Sequence, residues 1–500
     1  MPPLAATGSG LLPMLAVVLP VLAMVVALPL GARGAERMTI ALLLPGFLLA
    51  LGTAIAVQSS GAPAIHLLGH WSPPLGLAFR ADGLAAAMLL AAAIVIAAVA
   101  LFARGGFGVR SGAPETRTAF AFWPLLLALW GGINLAVVAN DLFTLYVALE
   151  LLTFAAMPLV CLEGKRETIE AALRYLMFAL LGSVLYLLGV ALIYGSAGTL
   201  DITLLSGRLG LEAPVIVAAA LMTAGLLAKT ALLPLHLWLP SAHAGAPAAA
   251  SAVLSALVVK GSFVILVRLW FGVLAATPSL PAMQILAGLG AAAILLGSAA
   301  ALAQPRLKLL VAYSTVAQIG YLFLMFPLVA GMPDSETAAK AWTGGSVQAI
   351  SHAFAKAAMF LAVGLMAARV GHDRIADLAG TARHMPVPLL TFGLAGLTLM
   401  GVPPSGGFAA KWLLLSAAIE AGQWWWALVV LGGGLLTGGY VYRVLSVSLT
   451  SSGALAPPAP QPPGTPDAIA LGLAVLSVAL GFVPLASFGL VQVGRMGLAP

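Results

Sequence analysis

Long apolar runs, each close to twenty residues, alternate along the whole chain with short polar intervals. A bilayer core about 30 Å thick takes roughly 20 residues of helix at 1.5 Å rise per residue. Fourteen segments meet that length, centred near residues 21, 48, 92, 129, 152, 184, 224, 259, 291, 320, 355, 402, 434 and 479. They are numbered spans 1 to 14. A membrane β-barrel would show ten-residue stretches of alternating polarity, which these unbroken runs contradict. The 55 glycines and alanine-rich stretches such as 85–93 suit close helix packing through small residues. The pattern predicts an all-α polytopic membrane protein.

Composition narrows the class. The AVILMFWYC set makes up 62% of the 500 residues and charged residues only 8%, against about 25% charged in average globular chains. Soluble enzymes, nucleic-acid binders and disordered proteins are excluded together, because too few ionic side chains exist to cover a water-exposed surface. The net charge of +7 then reads as basic cytoplasmic loops, with no nucleic acid as partner. Numbering the loops alternately puts Arg33, Arg37, Arg104, Arg110, Arg117, Lys165, Arg166, Arg174, Arg306, Lys308, Arg369, Arg374, Arg383 and Arg443 on one side. The other side collects Arg80, Arg208, Arg268, Lys340 and Arg495. That ratio of fourteen to five supports fourteen spans in the inner (cytoplasmic) membrane, with both termini outside the cytoplasm. No Lys or Arg precedes Arg33, so the first segment lacks the basic flank of a cleaved signal peptide and is expected to remain as a span.

Cofactor chemistry finds little support. The single cysteine, Cys161, cannot supply the four ligands of an iron–sulfur cluster, and the seven histidines are not paired at metal spacing. No glycine-rich nucleotide loop follows a strand. The chain is expected to bind no cofactor and no metal, and to hold no redox or hydrolytic centre of its own.

The remaining cations, Lys229, Lys260, Lys356 and Lys411, lie inside apolar segments, as does one carboxylate, Glu150. Glu150 is nine residues past Asp141, about 13 Å down a helix and near mid-membrane. A charge at that depth costs about 2.5–3.5 kcal/mol on insertion scales, so packing alone does not select it. The bland alternative is a neutral Glu hydrogen-bonded to a neighbouring helix. Lys260 is about ten residues from either end of its span, too deep to snorkel. His352 and Lys356 are one turn apart on one helix face, which suits a proton-relay step; pairing of Lys356 with a carbonyl or water is the structural alternative. His236 and His243 lie near the seventh span's cytoplasmic end, as accessory relays or as plain interfacial polar residues.

Two spans read as broken. Pro234 and Pro240 follow Lys229, whereas Pro403, Pro404, Gly406 and Gly407 precede Lys411, 182 residues further on. Interrupted helices at corresponding places in two halves mark inverted-repeat transporters. Lysine suits this setting because desolvation lowers its pKa and a nearby carboxylate raises it again, so it can hold or release a proton near neutral pH. Arginine stays charged. Four central lysines therefore fit proton handling.

NDLFTLYVALELL, LLAKTALLPLHLWLPSAHAGAPAAASAVLSALVVKG, LAQPRLKLLVAYSTVAQIGYL, SHAFAKAAMFL and GVPPSGGFAAKW, in that order across about residues 120–445, resemble the antiporter-like subunits of respiratory complex I and of Mrp-type Na+/H+ antiporters. The stretch GHWSPPLGLAFRADGLAAAMLL looks most like the D-type subunit of Mrp antiporters. The resemblance implies two inverted five-helix repeats, spans 4–8 within 119–272 and spans 9–13 within 280–450. They are preceded by spans 1–3 in 1–118 and followed by a Pro-rich loop and span 14 in 451–500. It implies that Glu150, Lys229, Lys260, His352, Lys356 and Lys411 form a hydrated polar axis through mid-membrane. Lysine at 411 is similar to the Mrp D-type subunit and to the L- and N-type subunits of complex I, and departs from the M-type. The chain ends after span 14 without the long lateral helix of the L-type. The loop APPAPQPPGTPD matches no known function and reads as a flexible cytoplasmic linker.

The expectation is a proton-translocating subunit of a multisubunit Mrp-like cation/proton antiporter, with other membrane subunits as partners and protons as cargo; the residues leave open whether Na+, K+ or only H+ moves. Sodium sites use oxygen ligands, and Glu150 is the lone deep carboxylate, which directs any Na+ path to another subunit. The alternative is a proton-pumping subunit of a complex I-like NADH:quinone oxidoreductase, an energy-converting hydrogenase or an inorganic-carbon uptake module. A scaffold with vestigial charges is a third reading, which the retention of every ionisable position disfavours.

Overall fold

The computed structural model describes residues 5–109, 114–275, 279–331, 335–450 and 463–495. Among them, twelve helices are long and apolar enough to cross a membrane. The first, Leu11–Ser60, has 50 residues and would stretch about 75 Å if straight. Instead it folds back at Leu28–Leu30, where Gly31 takes a φ of +70°. Its two arms pack together, and the Thr7 amide donates to the Ile65 carbonyl at 2.9 Å, joining their far ends. Spans 1 and 2 are therefore Leu11–Ala27 and Gly31–Ser60. Spans 3 to 6 are Gly83–Phe107, Arg117–Val138, Leu142–Val160 and Arg166–Ala197. Span 7 is broken into Ala213–Thr230 and Trp238–Gly245. Spans 8 to 11 are Ala248–Val273, Leu280–Ala303, Leu307–Ala330 and Glu336–Val370. Span 12 is broken into Pro386–Met400 and Gly406–Glu420, and spans 13 and 14 are Trp424–Leu449 and Thr465–Phe482. The fourteen crossings expected from the hydrophobic pattern are present.

Local chemistry fixes where these helices begin. Asp82, Thr116, Asp141, Ser279, Ser335 and Ser405 each accept a backbone N–H in the first turn of the helix that follows. Hydrogen bonds between loops sort those loops onto two faces. Glu115 accepts from the amides of Ala32 and Arg33, Arg306 pairs with Asp373, and Arg443 donates to the carbonyls of Leu302 and Gln304, all on one face. On the opposite face Asn140 donates to Asp201, the Gly83 amide donates to the Val493 carbonyl, and Lys340 pairs with Glu420. Both ends of the described chain lie on that second face.

The two groups of five spans repeat one packing scheme. Spans 4 and 5 lie along each other as spans 9 and 10 do, and span 6 packs on broken span 7 as span 11 packs on broken span 12. In span 7 the helix runs inward from the second face before breaking; in span 12 it runs from the first. The repeats are thus inverted. The outer faces of the spans carry exposed apolar side chains such as Leu435, Met177 and Val184, as a lipid-facing surface requires.

Three details depart from the sequence reading. Residues 64–67 and 78–81 pair as a short antiparallel hairpin on the second face, too short to register in a hydropathy pattern. Arg268, assigned to a loop, is buried inside span 8. Its guanidinium donates to the carbonyls of Val137 and Ala139 at the end of span 4 and to that of Arg80, so it caps a helix C-terminus where positive charge is favoured. Most of the Pro-rich loop, through Pro462, lies outside the described residues. Its last residue, Asp467, is buried and accepts a bidentate pair from Arg369, 2.8 Å on each oxygen.

Candidate functional site

The buried charges converge from five spans. Glu150, in span 5, accepts a hydrogen bond from the Ser183 hydroxyl of span 6 and faces Lys229 Nζ at 3.4 Å. Lys229 sits in the last turn before the break in span 7, and its Nζ also donates to Thr153 Oγ1 at 2.8 Å and the Leu149 carbonyl at 3.4 Å. Each group satisfies part of the other's lost solvation, without which either charge would be strongly disfavoured. Beside them is a small cavity of about 10 Å³, lined by Thr153, Tyr175, Lys229 and Ser262, at the lower limit for one water molecule.

The break itself is stabilised by side chains. Ala231 adopts a φ of +57°, its amide bonds back to Ala228, and the Trp238 indole N–H donates to the Ala228 carbonyl at 2.9 Å. The next residue after Lys229, Thr230, bonds Ser262 of span 8 at 3.1 Å. Two residues earlier on span 8 is Lys260, fully buried. It follows a π-helical turn at Leu254–Val258 and donates to the Ser255 carbonyl at 2.5 Å. Such turns are frequent at functional positions in helices.

From Ser255 the polar contacts pass into the second repeat. Ser255 Oγ meets Thr315 Oγ1 at 3.0 Å; Thr315 donates to the Val311 carbonyl at 3.0 Å; Lys356 Nζ donates to the same carbonyl at 3.0 Å and to the Ser314 hydroxyl. Lys356 and His352 occupy one face of span 11, both buried, and neither ring nitrogen of His352 has a hydrogen-bond partner among the described residues. His243 is likewise buried and unpartnered, its ring stacked on Phe360 at 4.6 Å. Nearby, a cavity of about 520 Å³ lined by Ser241, Lys308, Arg174 and Asp373 opens at the arginine-rich face. His236 is partly buried in the break of span 7 and touches none of the four lysines through a hydrogen bond.

Lys411 closes the far end. Span 12 stops at Gly401, whose φ of +82° and missing Cβ let the Lys411 chain pass over it. Lys411 Nζ donates to the carbonyls of Leu399 and Met400 at 2.6 and 3.3 Å, and stands 4.0 Å above the Tyr321 ring. The lysine thereby caps the first half-helix, where unsatisfied carbonyls carry partial negative charge. Ser405 then starts the second half, accepting from the Phe408 amide at 3.1 Å.

Of the six residues, Glu150 pairs with Lys229, and Lys260 connects to Lys356 through Ser255, Thr315 and Val311; His352 sits one turn from Lys356 without a hydrogen-bond partner, and Lys411 is held at the break of span 12. The sequence reading overlooked the uncharged members: Ser183, Thr153, Ser262, Ser255, Thr315, Ser314, Gln318 and Gln348. Thr153 and Gln348 stand one turn from Glu150 and His352, which is the signal that was available for those two; the others have no such spacing to a Lys, His or Glu. Among the described residues no cluster of three or more His, Cys, Asp and Glu side chains offers a metal site.

This arrangement has known relatives. The family described as NADH:quinone oxidoreductase/Mrp antiporter, transmembrane region, matches residues 139–437. The chain is 35% identical over 468 residues to the N-type subunit of the NADH-quinone oxidoreductase of Desulforudis audaxviator, covering 89% of this chain and 90% of that one. It is 28% identical over 376 residues to the D-type subunit of the Na+/H+ antiporter of Alkalihalophilus pseudofirmus, covering 74% and 73%. Its fold matches a chain in the structure of the Mrp complex from Dietzia sp. DQ12-45-1b with a TM-score of 0.86 and 25% identity over 97% of each chain. Likeness to an N-type subunit is thus at least as strong as likeness to a D-type one.

Proposed function

The chain belongs to the NADH:quinone oxidoreductase/Mrp antiporter transmembrane family, and from that premise we propose that it translocates protons along the axis Glu150, Lys229, Lys260, His352/Lys356 and Lys411. It is an antiporter-like membrane subunit, and its partners in this reading are other membrane subunits. The observation that carries the proposal is the series of contacts from Lys260 to the Ser255 carbonyl, from the Ser255 hydroxyl to Thr315, and from Thr315 and Lys356 to the shared Val311 carbonyl. Packing has no use for ionisable groups in such a chain, because a satisfied apolar core of the same volume is as stable or more so.

Each lysine holds its proton while its carbonyl, hydroxyl or carboxylate partners stabilise the ammonium. It releases the proton when those partners turn away or a neighbouring cation approaches. Glu150 sets the occupancy of Lys229; Lys260 and Lys356 hand the proton across the boundary between repeats 119–272 and 280–450; Lys411 is the terminal group. His243, beneath the cavity at the arginine-rich face, and His236 serve as accessory relays at that end. The arginine-rich face is the cytoplasmic one, which puts both termini outside.

Glu150→Ala or Lys229→Ala is expected to abolish transport in everted vesicles while leaving assembly intact. Wild-type rates in either variant would sink the reading. Two host complexes compete. The fold match to an Mrp complex favours a cation/proton antiporter, whereas the 35% identity to an N-type subunit over most of the chain favours a redox-driven pump. Mild purification of the tagged protein separates them. Partners without visible chromophores support the antiporter, and partners carrying flavin or iron–sulfur absorbance support the redox complex.

A further inference from the structure

Between Lys356 and Lys411 the axis has no further Lys, His or Glu; the buried Tyr440 hydroxyl lies beside Ser314, Gln318 and Thr437, and the Tyr321 ring lies under Lys411. Alongside these phenols runs a pair of buried amides. Gln348, on span 11, donates through Nε2 to Gln318 Oε1 on span 10 at 3.1 Å. Gln318 in turn donates through Nε2 to the Leu399 carbonyl at 3.0 Å, with Thr437 Oγ1 at 3.4 Å. Both are essentially shielded from solvent, at 2% and 0% exposure. The Leu399 carbonyl is the same one that Lys411 Nζ holds at 2.6 Å. At the other end, Gln348 Oε1 has no hydrogen-bond partner among the described residues, and His352 lies one turn further along the same face with both ring nitrogens unpartnered.

The two amides point the same way. Gln348 Nε2 donates to Gln318 Oε1, and Gln318 Nε2 donates onward to the Leu399 carbonyl that holds Lys411. An amide does not carry an excess proton under these conditions, but a chain of aligned amides polarises as a unit. Two donors that share one carbonyl oxygen weaken each other, because each draws on the same electron density. From this geometry we infer that Gln348 and Gln318 are positioning residues that link the charge on His352 to the hold on Lys411. This inference rests on the proton-translocation reading above. A proton on His352, one turn from the unpartnered Gln348 Oε1, polarises that amide, strengthens both amide donors in turn, and loosens the ammonium of Lys411 from Leu399. Loss of the His352 proton reverses the order. The bridge thus makes loading at one site promote release at the next without a proton passing through it.

The test uses the intact complex in vesicles, with initial transport rates as the readout and assembly yield as a control. Gln318→Met and Gln348→Met keep the volume and remove the amide; each is expected to slow transport about three- to tenfold, the size of one hydrogen bond. Because the two act as one chain, the double variant is expected to be no slower than the slower single variant. Gln318→Glu, a buried acid that desolvation keeps neutral, retains one donor and one acceptor and is expected to restore at least half of the lost rate. Losses that multiply in the double variant, or a Gln318→Glu variant as slow as Gln318→Met, would overturn the bridge. If a Met variant does not assemble, the Gln318→Glu variant decides alone: transport at half the wild-type rate or more supports the bridge, and transport more than about tenfold slower overturns it. Should Glu150→Ala transport normally, the axis reading itself fails; should Glu150→Ala be inactive while both Met variants run at wild-type rates, only the bridge fails.

Discussion

Lys229 and Lys411 meet one physical problem with different partners. Both are ammonium groups buried beside a broken helix, and both need acceptors to replace water. Lys229 takes Glu150 and Thr153, whereas Lys411 takes the two carbonyls that its own broken helix leaves open. Replacing Lys411 by Met therefore removes a charge and also uncaps Leu399 and Met400. Measured transport is expected to be lost and the unfolding midpoint lowered, since open buried carbonyls cost about 1–3 kcal/mol. Ser314→Ala is a milder change, because Lys356 keeps the Val311 carbonyl; a rate loss below about tenfold is expected, and a dead variant would show that the hydroxyl itself relays the proton. The charged members of the axis were legible in the sequence because a Lys or Glu stands out in an apolar run. Ser314 and Gln318 were not, since uncharged polar residues recur throughout membrane helices and only three-dimensional contacts single these out.

The breaks are where helix-level sequence signals worked best. Pro234 and the Pro403–Pro404 pair mark them to within a few residues, because a proline removes a backbone donor from the ladder. The closeness of the broken ends was invisible. A Cβ on Gly407 would stand 1.8 Å from the Thr398 carbonyl, so the two halves of span 12 overlap side by side. Gly407→Ala must push them apart, and is expected to destabilise the protein by about 1–3 kcal/mol and to lower transport by displacing Lys411; unchanged thermal stability would contradict this. At the first bend, Glu115 caps span 2 through the amides of Ala32 and Arg33, which hold its carboxyl below the ordinary value of 4.5. A lowered folded-state pKa contributes stability that is present above the unfolded value and lost as pH falls through the folded one. Glu115→Gln should therefore be less stable than wild type at neutral pH, with the gap closing below about pH 4. Thermal melts of both proteins across pH 3–7 check this, and a gap that persists at the acid end would exclude the carboxylate as its source. Arg268 shows where the sequence misled. A cation followed by Leu-Trp-Phe near a span's end reads as a loop residue, yet its partners are carbonyls of a helix 129 residues away, which no local pattern reveals.

Across the whole molecule, each of the two inverted five-helix repeats places buried lysines at its own break and at mid-helix. The hydrophobic pattern and the count of fourteen crossings followed from chain chemistry alone, since bilayer thickness fixes helix length. The short hairpin at 64–67 and 78–81 did not, because four-residue strands outside the bilayer obey no such constraint. Hydroxyls and carbonyls from spans 8 and 10 bridge lysines contributed by different repeats. Lys356 is the point at which that bridging is most exposed to test, being fully buried at the join. The most direct measurement is proton flux in vesicles containing the intact complex with Lys356→Met, a substitution close to lysine in length that cannot hold a proton. The axis predicts flux at background with normal assembly, whereas flux at the wild-type rate would mean that protons take another path.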